Sequence, residues 1–360
     1  MIRVVLIFGG LSAEHEVSLL SARSVANAAS KQRLEIIPLC MARDGRFIAP
    51  ARSARILDGS ERADRGDESF SFETWLQAQK PEIAFPLIHG TGGEDGTLQG
   101  YLETIGLPYV GSGVAASAIG MDKAFMKYAF AAAKLPMVDF VQVLEREWRS
   151  ERERIMRAVN NSLRLPYFVK PANSGSSVGV TKVKSDDRLA AAVEQAFRFD
   201  EKVLVERGLD AREIEVSVLG NDEADASLPG EVVAGREFYD YEDKYIENKA
   251  QLIIPAKLPK EKTEEIRRLA VTAFRAIGAS GFARVDFFME RGTRRVFVNE
   301  INTIPGFTQI SMYPKLWEAT ELKYSRLIER LVELGLQRWK ARAARRQSAM
   351  KWFEEVKSLM

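Results

Sequence analysis

The chain is poor in the residues that most often carry redox or transition-metal chemistry. It has one cysteine, Cys40. A single thiol excludes an internal disulfide and a cysteine-cluster metal centre, and it fits a reducing compartment. Two histidines, His15 and His89, weaken any reading as a His-rich zinc site or a His-dependent triad. Charge of one sign is also scarce, since 52 basic and 50 acidic residues leave +2 over 360 residues. A molecule-wide electrostatic footprint for nucleic acid is therefore missing. No apolar run reaches the ~18 residues that span a bilayer. The N-terminus enters a strand pattern at once, without the layout of a signal peptide. No internal repeat or low-complexity tract occurs. The expectation is a soluble, cytoplasmic protein.

What is present is a globular composition, 46% hydrophobic and 28% charged, in a chain long enough for two or three packed units. Residues 4–8 form a continuous apolar run, as in a buried parallel strand. Gly9-Gly10 turns the chain, and Ser12 is expected to cap a helix through Val17, Leu20 and Val25. Residues 34–40 and 82–88 read as further strands, 58–70 as a polar loop, and Leu98, Tyr101, Leu102 and Ile105 as one helix face. This alternation implies an α/β unit with a parallel sheet.

In the middle third, a helix over 121–134 stops before Pro136, and residues 167–170 and 178–183 are close enough to pair as a hairpin. Leu189, Ala192, Val193 and Ala196 mark a helix, and 203–206 and 214–219 are strands. The last third opens with a polar segment, 236–251. A helix stripe of Ile266, Leu269, Ala270, Ala273 and Ile277 follows, stopped by Gly278. Residues 282–289 and 295–301 pair around Arg291-Gly292-Thr293. From 337 onward, seven basic and two acidic residues suggest a surface helix carrying Trp339, Trp352 and Phe353.

Five groups, and one competing fingerprint, bear on chemistry. Lys170-Pro-Ala-Asn-Ser-Gly-Ser-Ser-Val-Gly179 is either a phosphate-cradling loop with a lysine at its mouth or a flexible hairpin tip. It lacks the Gly-Lys-Ser/Thr of a Walker loop. Arg284, Asp286, Glu300 and Asn302 share one face if a three-residue turn sets the register, with Arg284 opposite Glu300 and Asp286 opposite Val298. Two carboxylates and an amide suit Mg²⁺; the alternative is a solvated ion pair. The cost of burying unpaired charge favours metal.

His89-Gly-Thr-Gly-Gly-Glu-Asp-Gly-Thr-Leu-Gln-Gly100 lies between a strand and a helix, where open α/β sheets place ligand loops. Glu14 follows the glycine pair, and Lys244-Tyr245 sits in the polar segment. Alone, each reads as well as a dipole-stabilising acid and an ordinary loop. Gly111-Ser-Gly-Val-Ala-Ala116 fits the dinucleotide fingerprint, but more than a hundred residues into the chain and without the ribose-binding acid.

Taken together and in order, these segments resemble the D-alanine–D-alanine ligases of the ATP-grasp superfamily. The matching text is Gly9-Gly10-Leu-Ser-Ala-Glu14-His-Glu16, the His89 loop, Met121-Asp-Lys123, the Lys170 loop, Phe238-Tyr-Asp-Tyr-Glu-Asp-Lys-Tyr245, Arg284-Val-Asp286 and Glu300-Ile-Asn-Thr-Ile-Pro-Gly-Phe-Thr-Gln-Ile-Ser311. The resemblance implies an ATP-grasp fold, with an N-terminal parallel α/β domain over 1–115 and two α+β domains clamping ATP over 116–207 and 208–336. A basic C-terminal helix or tail over 337–360 lies outside it. It further implies ATP-dependent joining of two D-alanines through an acylphosphate, for peptidoglycan precursors. The partners are then ATP and D-alanine, with two Mg²⁺ or Mn²⁺ ions, no nucleic acid, no membrane insertion and a homodimeric state.

By the same resemblance, Lys123, Lys170, Ser177, Glu206, Arg207, Leu209 and Glu213 would hold ATP. Asp286, Glu300 and Asn302 would bind the ions. Arg284 and the Gly306 N–H would stabilise the oxyanion. Glu14 would take the first D-alanine's ammonium and Ser311 the second's carboxylate, with His89 in the substrate pocket. Lys244 would reach in from a lid that Tyr245, Ser176 and Glu14 close. The tyrosine at 245 argues for the dipeptide, since ester-forming relatives tend to carry histidine there.

Overall fold

The computed structural model describes residues 1–176, 178–233 and 251–358. The first sheet comes from β1 (Ile2–Gly9), α1 (His15–Ala28), β2 (Leu34–Met41), α2 (Pro50–Asp58), α3 (Phe72–Gln79), β3 (Ile83–Pro86) and α4 (Thr97–Thr104). Its order is β2-β1-β3, all parallel. Val4, Val5, Leu6, Ile7 and Phe8 are fully buried, which is why β1 reads as an unbroken apolar run. Two helices follow, α5 (Val114–Met121) and α6 (Lys123–Ala132). Asp122 between them accepts from the Ala124 and Phe125 N–H groups and caps α6. The helix expected over 121–134 is α6, and α5 before it was not anticipated.

The second sheet is built from β4 (Phe140–Leu144), α7 (Glu145–Ser162), β5 (Tyr167–Pro171), β6 (Thr181–Val183), α8 (Leu189–Ala196) and β7 (Lys202–Arg207). It is antiparallel in the order β4-β7-β5-β6. The third takes β8 (Ala211–Gly220), β9 (Ala224–Ala226), β10 (Gly230–Val233), β11 (Gln251–Ile253), α9 (Lys260–Ala276), β12 (Gly281–Glu290) and β13 (Val296–Asn302). Its order is β11-β10-β8-β12-β13, with β9 on β8. The chain ends with α10 (Met312–Ala319) and α11 (Tyr324–Ser358). The basic segment after 337 therefore continues a helix whose first half buries one face completely, through Leu327, Ile328, Leu331 and Val332.

The first and third units meet through an aromatic cluster. Phe282 of β12 lies 5.8 Å from Phe307 and 5.6 Å from Tyr313, ring to ring, and Phe85 of β3 lies 6.0 Å from Phe307. Each such side chain contributes about 1.5–3 kcal/mol when buried, so the loop after β13 is anchored from both sides. The Gly111 motif falls at this junction. A Cβ on Gly281 would come within 2.9 Å of the Gly111 Cα. These glycines let two backbones approach closely, which accounts for the dinucleotide-like pattern without a dinucleotide.

Two sequence expectations need correction. Ser12 does not cap α1. The helix starts at His15, and the Ser12 hydroxyl donates to the His89 carbonyl at 2.6 Å. Leu20 is half exposed, and the buried face instead carries Ser18, Ser21, Ala22 and Val25, because that side of the helix makes hydrogen bonds with the site loops.

The β12–β13 register also differs. Arg284 pairs with Asn302, and Asp286 with Glu300. The hairpin closes through residues 291–294, with Glu290 N–H donating to the Arg295 carbonyl. An even loop would split the four polar residues between faces. A bulge between Asp286 and Phe287, which leaves Asn299 unpaired, shifts the register by one more residue and restores the shared face.

Candidate active site

A cleft lies where the three sheets converge, and its lining includes Glu14, His89, Lys123, Lys170, Ser176, Glu213, Arg284, Asp286, Glu300, Asn302 and Gly306. One wall is the second sheet. Strand alternation points Lys170 of β5 and Glu206 of β7 the same way, and the Lys170 Nζ lies 2.7 Å from Glu206 Oε2. Lys127 of α6, which sequence reasoning missed, places its Nζ 3.1 Å from Glu206 Oε1, at a poor hydrogen-bonding angle. Glu206 and Lys127 are both buried. Burial alone would raise the Glu206 pKa, but the flanking Lys127 and Lys170 outweigh it and hold the carboxyl at about 2. Burial pushes Lys127 below the ordinary lysine range, whereas Glu206 and the more distant acids overcome burial and raise Lys170.

The facing wall is the third sheet. Arg284 donates to both Asp286 oxygens at 2.7 Å, the bidentate geometry that a guanidinium supplies and an ammonium cannot. Its Nε is 2.9 Å from Glu215 Oε2. These carboxylates, with Glu300, raise the arginine's pKa despite burial. Asn302 donates to Asp286 Oδ2 at 3.0 Å. Glu215 of β8, another residue missed from sequence, pairs with Asp286 of β12; its signal was the Glu213-Ile-Glu215 alternation on a strand. Lys123 spans the gap between walls, with its Nζ 4.0 Å from Glu300 and donating to the Ser174 carbonyl at 2.6 Å.

The Gly/Ser loop is tied to the first unit. Ser176 holds a left-handed backbone (φ 49°), and its hydroxyl donates to Glu14. Strain of this kind persists where surroundings enforce it, often at functional sites. Gly90 and Gly175 make room for Glu14, since a Cβ on either would come within 3 Å of its Oε2. His89 has both ring nitrogens engaged, Nδ1 at 2.8 Å from the Ile304 carbonyl and Nε2 at 2.9 Å from Ser21 Oγ. Burial lowers its pKa. Glu94, not singled out from sequence, accepts from the Gly90 and Ile304 N–H groups at 2.8 Å each. It thereby clamps the His89 loop to residues 303–306. Burial, reinforced by the Glu14 charge, raises its pKa to about 8.

Of the other expected residues, Ser311 accepts from the Thr308 N–H beside Gly306. Arg207 reaches toward Asp139, with 3.6 Å between Nε and Oδ2. Leu209 is partly exposed after β7. Lys244, Tyr245 and Ser177 lie outside the described residues. Among the described residues, no three acidic, histidine or cysteine side chains form a metal-holding cluster. The expected metal set is two carboxylates plus an amide. Its all-oxygen chemistry on one strand face, opposite the lysines, fits a hard divalent cation.

Two antiparallel sheets facing each other across a cleft, one lysine-rich and one carboxylate-rich, with a parallel α/β unit on a third side, define the ATP-grasp class. Residues 3–112 match the family model for the D-ala D-ala ligase N-terminus, and residues 129–333 match that for the C-terminus. The chain is 43% identical over 354 residues to the D-alanine–D-alanine ligase of Caldicellulosiruptor bescii, covering 94% of this chain and 96% of the relative. It is 46% identical over 340 residues to that of Halothermothrix orenii, covering 93% and 98%.

Among solved structures, the D-alanine–D-alanine ligase from Coxiella burnetii superposes with a TM-score of 0.80 at 33% identity, over 98% of this chain and 99% of that one. The VanG D-Ala:D-Ser ligase from Enterococcus faecalis gives 0.79 at 32%, over 93% and 99%. The chain belongs to the D-alanine–D-alanine ligase family.

Proposed function

We propose that the protein joins two D-alanines into D-alanyl-D-alanine, using ATP, as a peptidoglycan precursor. The observation that carries this reading is the pair of opposed walls, with Arg284 locked between Asp286 and Glu215 where both walls meet the Glu14 loop. In the first step, the carboxylate of one D-alanine attacks the γ-phosphorus, giving an acylphosphate and ADP. In the second, the amine of the other D-alanine attacks the acyl carbon, loses its proton and expels phosphate. Neither step requires a covalent enzyme intermediate, so the protein's part is positioning and charge neutralisation.

Lys170 and Lys123 hold the phosphates in this reading. Glu206, Arg207, Leu209 and Glu213 surround the nucleoside, and the loop of Ser176 and Ser177 closes over the phosphates. Glu14, already bonded to Ser176, binds the first D-alanine's ammonium, and Ser311 binds the second's carboxylate. His89, fixed by Ser21 and Ile304, shapes the wall beside the substrate. Arg284 and the Gly306 N–H face the oxyanion. Lys244 and Tyr245 act as parts of a lid in this reading, and its closure keeps water from the acylphosphate. Asp286, Glu300 and Asn302 would hold two Mg²⁺ or Mn²⁺ ions, which supply charge neutralisation between carboxylate and triphosphate.

The proposal divides the chain into units of 1–115, 116–207 and 208–336, with a tail over 337–360. A cytoplasmic location and a homodimeric state complete it on the strength of the family resemblance. No helix among the described residues is long and apolar enough to cross a membrane.

The likeness to a D-Ala:D-Ser ligase supports a second reading, in which the second substrate is D-serine. Phosphate release with D-alanine alone, and with D-serine or D-lactate added, separates the two. The first reading expects full turnover with D-alanine alone. A marked preference for a mixed product near neutral pH would replace it.

A further inference from the structure

Helix α11 packs against the body as far as Arg342, whose guanidinium forms a two-pronged pair with Glu103 of α4, Nη2 to Oε2 being 2.8 Å. One turn earlier, Arg338 stacks 4.3 Å over the Tyr109 ring. Beyond this anchor every residue from 343 to 355 is exposed, and the family model ends at residue 333. A helical stretch this short has little stability in water without something to pack against.

The outer turns are sharply two-sided. At 3.6 residues per turn, Ala349, Met350, Trp352, Phe353 and Val356 fall within one arc of about 160°. Met350, Trp352 and Phe353 are 60%, 57% and 60% exposed, and the two rings meet edge to face at 5.1 Å. The same arc holds the cations Arg345, Arg346 and Lys357 and no acid. Glu354 and Glu355 both lie outside it, Glu354 about 40° past the Met350 edge.

This arrangement discriminates among occupants. A second copy seated on the face would bring like charges together. A nucleic acid would satisfy the cations but make no use of a Met–Trp–Phe wedge. An anionic bilayer matches both features, since headgroup phosphates pair with the arginines while the aromatic rings enter the interface. We propose that the outer turns of α11 dock the enzyme on anionic phospholipid surfaces, lying in the interface plane.

The test is co-sedimentation of the full chain with phosphatidylcholine vesicles, with and without phosphatidylglycerol. Partition onto the phosphatidylglycerol vesicles should be at least tenfold stronger and should fall as salt is added. Substituting Trp352→Ala with Phe353→Ala, or Arg345→Glu with Arg346→Glu, should each reduce partition at least tenfold while ligase turnover in solution stays at the wild-type value. Equal partition of wild type and both variants would overturn the proposal, as would absence of partition. So would self-association or duplex-DNA binding that the same variants abolish while vesicle binding is unaffected.

Discussion

The two walls of the cleft use opposite electrostatic arrangements. On the second sheet and α6, two lysines, Lys127 and Lys170, flank a single carboxylate, Glu206, and Lys123 adds a third cation at the gap between the walls. On the third sheet, three carboxylates (Glu215, Asp286 and Glu300) surround a single arginine, Arg284, and Glu213 adds a further acid along β8. Each wall buries one ion of the minority sign as an internal brace. Glu206 fixes the direction of the lysines, and the carboxylates fix the plane of the guanidinium. The surplus charge that remains is positive on one side and negative on the other. A polyphosphate with a divalent cation is a ligand that satisfies both.

The largest effect should come from the brace that also faces the reaction. Replacing Arg284 with Lys keeps the charge but loses the planar fork. The expectation is a fall in kcat of roughly 100- to 1,000-fold, the size seen when an oxyanion donor is removed. Near-normal steady-state turnover would make Arg284 purely structural.

The corresponding brace on the lysine wall should act on stability. Glu206→Gln leaves two buried lysines without a counter-ion and should cost about 3–5 kcal/mol in denaturant unfolding. A loss below about 1 kcal/mol would show that the lysines are neutral in the folded protein.

Lys127→Met sharpens the contrast, because Lys127 stands behind Lys170 and away from the cleft lining. It should weaken ATP binding about tenfold through a misaligned Lys170 while leaving kcat within a few-fold of wild type. An unchanged KM for ATP would assign Lys127 to packing alone.

The lysine wall and the His89 loop beside it should also titrate differently. Glu206 is held at about 2 in the folded state, against an ordinary value near 4.3. The stability it contributes is therefore present above roughly pH 4.3 and lost as pH falls through about 2. Glu94, raised to about 8, works in the other direction. Its contribution is complete below roughly pH 4.3 and declines as pH rises through about 8. Glu94→Gln should flatten the decline between these values in unfolding curves collected at several pH values. An unchanged slope would place the titration elsewhere.

Sequence motifs located the cleft well, because each was a local string whose spacing the fold preserves. Glu14, Lys170, Arg284, Asp286, Glu300 and Asn302 all come together as the resemblance implied. What sequence reasoning could not reach depended on contacts between distant strands. Lys127 reads as one more polar residue on α6 until Glu206 is brought opposite it. Glu94 looks like a turn residue until Ile304 donates to it across 210 positions. The hairpin register was mistaken because neither a four-residue loop nor a bulge at Asn299 has a distinctive local signature. The shared face was still anticipated, since the two deviations cancel in parity.

The central claim is that nucleotide phosphates lie between the lysine wall and cations on the carboxylate wall. Paramagnetic resonance of Mn²⁺ titrated into the protein with and without ADP tests it directly. The account predicts ion binding that ADP strengthens and that Asp286→Asn with Glu300→Gln removes while the protein stays folded. Mn²⁺ binding unaffected by either ADP or those substitutions would contradict it.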